Sequence, residues 1–178
     1  DGSELAFIEN ELEQNKDADL TMMFGHHAVV TRSTDWSDWA FEDAEEWTET
    51  ALIYGADELA QLMENYNVLM YAYGHSHLCR EEFYLSNMSE GAIYLKVASL
   101  TKSEGNHYNI VAIDSNGIST VSPDVREWPA VIITAPLDKD LGMNLNPYTA
   151  NATDISGDSF PIRALVFDKQ PITQVEYR

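Results

Sequence analysis

The 178-residue sequence is poor in cysteine and contains no long apolar run. Its one cysteine, Cys79, excludes an intrachain disulfide and a zinc site built from cysteine pairs. No stretch approaches the roughly 18 consecutive apolar residues of a membrane-spanning helix. We therefore predict neither a disulfide-stapled scaffold nor a transmembrane segment within this chain.

Basic side chains are also scarce. Ten Lys and Arg stand against 30 Asp and Glu, which gives a formal net charge of -20 at pH 7. Such a chain repels the phosphates of nucleic acids and of anionic membranes, so we predict no nucleic-acid partner. An anionic substrate would need a local source of positive charge, and a bound metal ion provides one.

Hydrophobic residues make up 44% of the sequence, enough for a packed core, and they are arranged as helices and strands. Helical spacing predicts helices at 3–15, with Ser3 as its N-cap, and at 55–66. Short apolar runs predict buried strands at 19–24 and 68–73. Later strands are predicted at 82–85, 92–98, 107–113, 117–121, 130–135, 162–167 and 172–177. The sequence thus predicts an α/β portion followed by a run of strands.

Histidines follow both of the buried strands. His26 and His27 come after the first strand, and His75 and His77 come after the second. If these strands are parallel neighbours, their carboxyl ends meet at the edge where α/β proteins bind ligands. One histidine alone would more often be an ordinary surface or core residue. Four at two strand ends favour a metal site, because imidazole is a common ligand for zinc, iron and nickel.

The two histidine blocks carry a family resemblance. Gly74-His75-Ser76-His77 resembles the Gly-His-x-His motif of the calcineurin-like metallophosphoesterases. Phe24-Gly25-His26-His27 resembles the family block that precedes it, with Ala28 in place of a proline. The resemblance covers about residues 1–121. It implies that residues 1–126 are the C-terminal half of a four-layer α/β/β/α sandwich.

The resemblance also implies an activity and a ligand set. The activity is hydrolysis of a phosphate mono- or diester at a site that holds two metal ions, such as Mn, Fe or Zn. His26 and His75 match ligands of the second metal, and His77 matches a ligand of the first. His75 is also the candidate catalytic residue, near the leaving oxygen, whereas His27 matches no family ligand. The upstream blocks that supply the carboxylate ligands are not in this sequence, so we expect the fragment to be inactive without the missing N-terminal half of the domain.

The C-terminal segment has a separate resemblance. Residues 127–178, through Ile133 to Asp138 and Pro161 to Asp168, are similar to the immunoglobulin-like domain that follows the catalytic domain in some exported or membrane-anchored family members. A sandwich of this type needs about seven strands, so we expect only the beginning of an all-β sandwich here. The resemblance implies an extracellular or membrane-associated parent protein.

Some features allow more than one interpretation. The competing hypothesis for the whole chain is a non-catalytic binding or adhesion module with a degenerate site. Gly105-Asn106-His107 imitates a metal-binding block of the family, but it comes after Gly-His-x-His, and we interpret it as a turn that opens a strand. Cys79 is either a redox-sensitive thiol or a plain buried cysteine. The acidic, tryptophan-rich segment 33–50 is either a lid or a solvated excursion.

Overall fold

The computed structural model describes two helices and several strands in small sheets. It describes residues 2–29, 31–32, 39–40, 52, 54–75, 81–84, 92–97, 99–100, 106–114, 117–136 and 162–176. In chain order the elements are α1 (Gly2–Gln14), β1 (Met22–Phe24), β2 (Thr31–Arg32), β3 (Trp39–Ala40), α2 (Ala56–Asn65), β4 (Met70–Tyr73), β5 (Glu81–Tyr84), β6 (Ile93–Val97), β7 (Ile110–Asp114), β8 (Gly117–Val121), β9 (Ala130–Ala135) and β10 (Arg163–Phe167). The mixed α/β class is confirmed.

The chain divides into two compact units, Asp1–Val97 and Ala98–Arg178. The first strand of the second unit is β7, which we had predicted to belong to the first domain, residues 1–126. The assignment of 1–126 to a phosphoesterase-like domain and of 127–178 to an immunoglobulin-like domain stays a prediction.

The first unit contains a four-stranded sheet in the order β1-β4-β6-β5. Strand β4 lies parallel to both β1 and β6, and β5 lies antiparallel to β6. The prediction that the two histidine-bearing strands are parallel neighbours is therefore confirmed. All four residues of β4 are buried, as expected of a strand covered on both faces.

Helix α2 buries one face in the core of this unit. Ala56, Leu59, Ala60 and Met63 form that face, and Met63 is completely buried. Residues with this spacing line one side of a helix, because 3.6 residues make a turn. Leu59 and Met63 join a hydrophobic cluster that also contains Leu12 of α1 and residues of β4 and β6. The core therefore lies beneath the strand ends that carry the histidines.

The helix starts differ from the predicted ones. Helix α1 begins at Gly2, so Ser3 lies inside its first turn and the predicted cap is wrong. Helix α2 begins after Gly55, whose φ of 78° is left-handed and which offers no side-chain cap. The two helices contain 13 and 10 residues. Among the described residues, no helix has the length and apolar character needed to cross a bilayer.

The described elements of the second unit are all strands. Strands β7 and β8 form an antiparallel hairpin, and β9 pairs with β10 in antiparallel register. Buried and exposed residues alternate over the first four residues of β9, as successive side chains of a strand point to opposite faces, and β9 contacts both strands of the hairpin. Residues 171–176 have no regular structure, so the strand predicted at 172–177 is wrong over the described residues. Their side chains are exposed, and their backbone pairs with no strand among the described residues. No backbone hydrogen bonds between strands therefore hold this segment extended.

Candidate metal centre

Three histidines meet at the carboxyl ends of β1 and β4. His26 and His27 follow β1, and His75 follows β4 after one glycine. His26 Nε2 lies 2.9 Å from His75 Nδ1, and the ring centroids of His27 and His75 are 4.4 Å apart. One ring nitrogen from each of the three residues lies within 4.8 Å of the others. The fold thus brings together two of the predicted ligands and adds His27.

Backbone pairing between the two strands continues up to this cluster. The Gly25 amide donates to the Ala72 carbonyl at 3.0 Å, and the Gly74 amide donates to the His26 carbonyl at 3.2 Å. These bonds extend the parallel register that pairs Phe24 with Ala72. They fix the relative position of the two backbones at the residues that carry the imidazoles.

The backbone of His75 has an unusual conformation. Its φ is 67°, in the left-handed region that residues other than glycine rarely adopt. Holding an L-residue there costs about 1 kcal/mol, and such residues concentrate at functional sites. The turn directly after β4 brings the His75 ring beside His26.

Tyr71 supports the histidine-bearing loop from within the core. Its hydroxyl donates to the His27 carbonyl at 2.8 Å, and only 4% of the residue is exposed. Burial raises the pKa of Tyr71 to about 12, so it remains a neutral donor. A Cβ added to Gly25 would lie 1.9 Å from the Tyr71 hydroxyl oxygen, so any other residue there would displace the Tyr71 ring.

The surroundings of His27 favour its metal-binding form. Burial, and then the proximity of His75 and His26, lowers the pKa of His27 below its ordinary value. The neutral imidazole is the form that donates a lone pair to a metal ion. The contact between His26 and His75 likewise needs one ring to offer an unprotonated nitrogen.

The distances suit a tetrahedral ion. With zinc-to-nitrogen bonds of about 2.0–2.1 Å, two ligand nitrogens of a tetrahedral site lie roughly 3.4 Å apart. The observed separations, from 2.9 Å to at most 4.8 Å, bracket this value. A metal ion held by His26, His27 and His75 would keep a fourth position for another ligand if it were tetrahedral, as in catalytic zinc sites. The cluster can therefore hold a metal ion with room for one further ligand.

A cavity of about 450 Å³ opens beside the cluster. His26, His27 and Tyr71 are among the residues that line it. Helix α1, the segment before α2 and the first turns of α2 complete the lining, with Gly2, Glu4, Leu5, Ile8, Leu52, Tyr54, Gly55, Glu58 and Leu59. The Leu52 amide donates to the Ala28 carbonyl at 2.8 Å, which ties the segment before α2 to the histidine loop.

The remaining candidates lie elsewhere in the chain. His77 and Cys79 fall outside the described residues, as does most of segment 33–50, and the predictions for them stay predictions. His107 belongs to the second unit, where it forms a β-bridge with Asp124 just before β7 and its ring contacts the Ser122 carbonyl at 3.2 Å. This supports the interpretation of its segment as the opening of a strand.

Sequence reasoning left His27 without a role and missed Tyr71 and Gly25. The available signal was a tyrosine inside an otherwise apolar strand, since a buried hydroxyl needs a partner. Comparison of the chain with protein-family models, with curated proteins and with solved structures found no match. The family resemblance therefore rests on the two histidine blocks.

Proposed function

We propose that His26, His27 and His75 bind a divalent metal ion. The observation that carries this proposal is the convergence of three ring nitrogens within 4.8 Å at the carboxyl ends of two parallel strands. Protonated imidazoles at this distance would repel one another, whereas a metal ion satisfies three lone pairs at once.

The function that this site supports best is metal-dependent hydrolysis of a phosphate mono- or diester. When bound, the metal supplies positive charge for the phosphate and activates water as the nucleophile. That charge is needed because the chain has a net charge of -20 and repels anions. His75 is the proposed catalytic residue near the leaving oxygen. The other metal ion of the two-metal site, for which His77 is the proposed ligand, and the identities Mn, Fe or Zn belong to the same proposal.

A zinc titration of the metal-free chain by calorimetry tests the site. We expect about one zinc ion per chain, and we expect His26→Ala, His27→Ala and His75→Ala each to weaken binding about 100-fold, because loss of a direct ligand costs at least as much as loss of its supporting partners. His107→Ala is the matched control and should bind like the parent. Unchanged zinc affinity in the three cluster variants, or an equal loss in the control, would contradict the proposal.

Phosphate binding tests the reaction class. We expect the zinc-loaded chain to bind inorganic phosphate and His75→Ala to lose that binding. With a chromogenic phosphodiester and Mn²⁺ we expect no turnover by this chain alone, because the carboxylate ligands implied by the resemblance are not in it. A zinc-loaded chain that does not bind phosphate would favour the hypothesis of a non-catalytic binding module instead.

A further inference from the structure

The cavity beside the histidine cluster has an aliphatic lining that metal binding does not use. Its volume of about 450 Å³ lies within the range of small-molecule sites. His26 and His27 line the same cavity, so a molecule bound there lies beside two of the proposed metal ligands. The aliphatic lining residues are Leu5, Ile8, Leu52 and Leu59.

The hydrophobic core of the first unit holds these aliphatic side chains in place. Leu59 is buried and belongs to the hydrophobic cluster. Leu5, Ile8 and Leu52 are half-buried and pack against that cluster. Their remaining surface is in contact with water. A ligand group that covers this surface removes apolar area from water, which favours binding in proportion to the area covered.

The segments that carry this lining are tied to one another. A Cβ built on Gly55 would lie 3.1 Å from Leu5 Cδ1, which places α1 close to the backbone that precedes α2. The hydrogen bond from the Leu52 amide to the Ala28 carbonyl joins the segment before α2 to the histidine loop. The cavity is therefore formed by contacts within the chain, as small-molecule sites usually are.

The carboxylates in the lining do not call for a charged ligand. Glu4 and Glu58 line the cavity, but each already interacts with another group of the chain. Both are also exposed, and solvent screens the charge of an exposed carboxylate. The half-buried aliphatic surface is thus the part of the cavity that distinguishes one ligand from another.

We infer that this cavity binds the alcohol part of the substrate, and that this alcohol is a small hydrocarbon group without charged or hydroxyl substituents. The inference rests on the proposed function, since it places the phosphate at the histidine cluster. Tyr54 and Tyr71 add aromatic rings to the lining, and the Tyr71 hydroxyl already donates to the His27 carbonyl. A polyhydroxylated alcohol would lose hydrogen bonds to water against the aliphatic side chains, which disfavours its binding.

Two phosphate monoesters built on the same ring test this inference. Cyclohexyl phosphate and myo-inositol 1-phosphate carry the same phosphate on a six-membered carbon ring, and the inositol adds five hydroxyls. We expect the zinc-loaded full chain to bind cyclohexyl phosphate about tenfold more tightly in calorimetry, because hydroxyls placed in an apolar site lose their bonds to water. Inorganic phosphate measures the affinity that comes from the metal alone.

Side-chain truncation tests the lining itself. Leu5→Ala should weaken the binding of cyclohexyl phosphate about fivefold and leave that of inorganic phosphate unchanged, because it removes only apolar contact area. The control is Phe7→Ala, which removes an exposed apolar side chain from the same helix outside the cavity lining and should bind all three probes like the parent. Circular dichroism checks the fold of each variant. If Leu5→Ala does not fold, Tyr54→Ala makes the same comparison at an exposed lining residue.

The outcomes separate the inference from the proposed function. Equal or tighter binding of myo-inositol 1-phosphate by the parent chain, or an equal loss of affinity in Phe7→Ala, would overturn the inference. A chain that binds zinc and inorganic phosphate without preferring cyclohexyl phosphate contradicts the inference alone. A chain that binds no zinc contradicts the proposed function and the inference with it.

Discussion

Among single residues, Tyr71 connects the hydrophobic core with the histidine loop. Its ring belongs to the buried hydrophobic cluster, and the centroids of the Tyr71 and Tyr73 rings are 5.8 Å apart. Its hydroxyl donates a hydrogen bond to the His27 carbonyl. Gly25 makes room for that hydroxyl. The position of His27 therefore depends on a residue 44 positions away in sequence, which no local motif records.

Tyr71 gives a prediction in alkaline solution. Burial raises its pKa to about 12 from an ordinary value of about 10, so folding favours the neutral phenol. The resulting stability is present in full below pH of about 10 and is lost as the pH rises towards about 12. We expect an absorbance titration of tyrosinate to lose amplitude near pH 12 in Tyr71→Phe, whereas the exposed control Tyr54→Phe keeps that part of the curve unchanged. An unchanged amplitude near pH 12 in Tyr71→Phe would contradict the assignment.

At the scale of helices and strands, the predicted bounds can be compared with the observed ones. The strands at 117–121 and 130–135 were predicted with their observed bounds, and β4 and β1 lie inside their predicted runs. Period and composition suffice for such elements because burial on one or both faces dictates the pattern. The failures have local causes: the start of α1 depends on the backbone before Ser3, and residues 171–176 have strand-like composition without a strand partner.

The candidate site was predictable to a similar extent. Parallel pairing of β1 with β4 follows from two apolar runs joined through a helix, and this places His26 beside His75. The part played by His27 depends on the turn after β1 and on the left-handed backbone of His75, which are set by packing.

Helix α2 provides a prediction about stability. Met63 is completely buried on its inner face. Met63→Ala removes that packing and leaves a cavity, so we expect the free energy of unfolding to fall by about 2–5 kcal/mol. The exposed Gln61→Ala on the same helix is the control, with an expected change of about 0.5 kcal/mol or less. Urea unfolding monitored by circular dichroism measures both variants, and similar midpoints for the two would show that α2 is not packed as described.

In the whole molecule, the candidate site belongs to one unit. Of the residues that the structure describes, the three clustered histidines, those that line the cavity and those of the hydrophobic cluster all lie within Asp1–Val97. The second unit contains His107 as its single histidine. Zinc binding should therefore need only the first unit, provided that this unit folds without the second.

We predict that a fragment of residues 1–97 binds zinc with an affinity within about threefold of the full chain. Folding of this unit relies on its own core, in which β4 and the first four residues of β6 are buried, so its stability has a source inside the fragment. The fragment 98–178 is the control and should bind zinc at least about 100-fold more weakly, because one imidazole cannot replace three. Calorimetry compares the affinities, while circular dichroism and light scattering report whether residues 1–97 are folded and monomeric. A folded, monomeric fragment that binds zinc no better than the control would show that the second unit supplies a ligand, and would move the candidate site away from the three histidines.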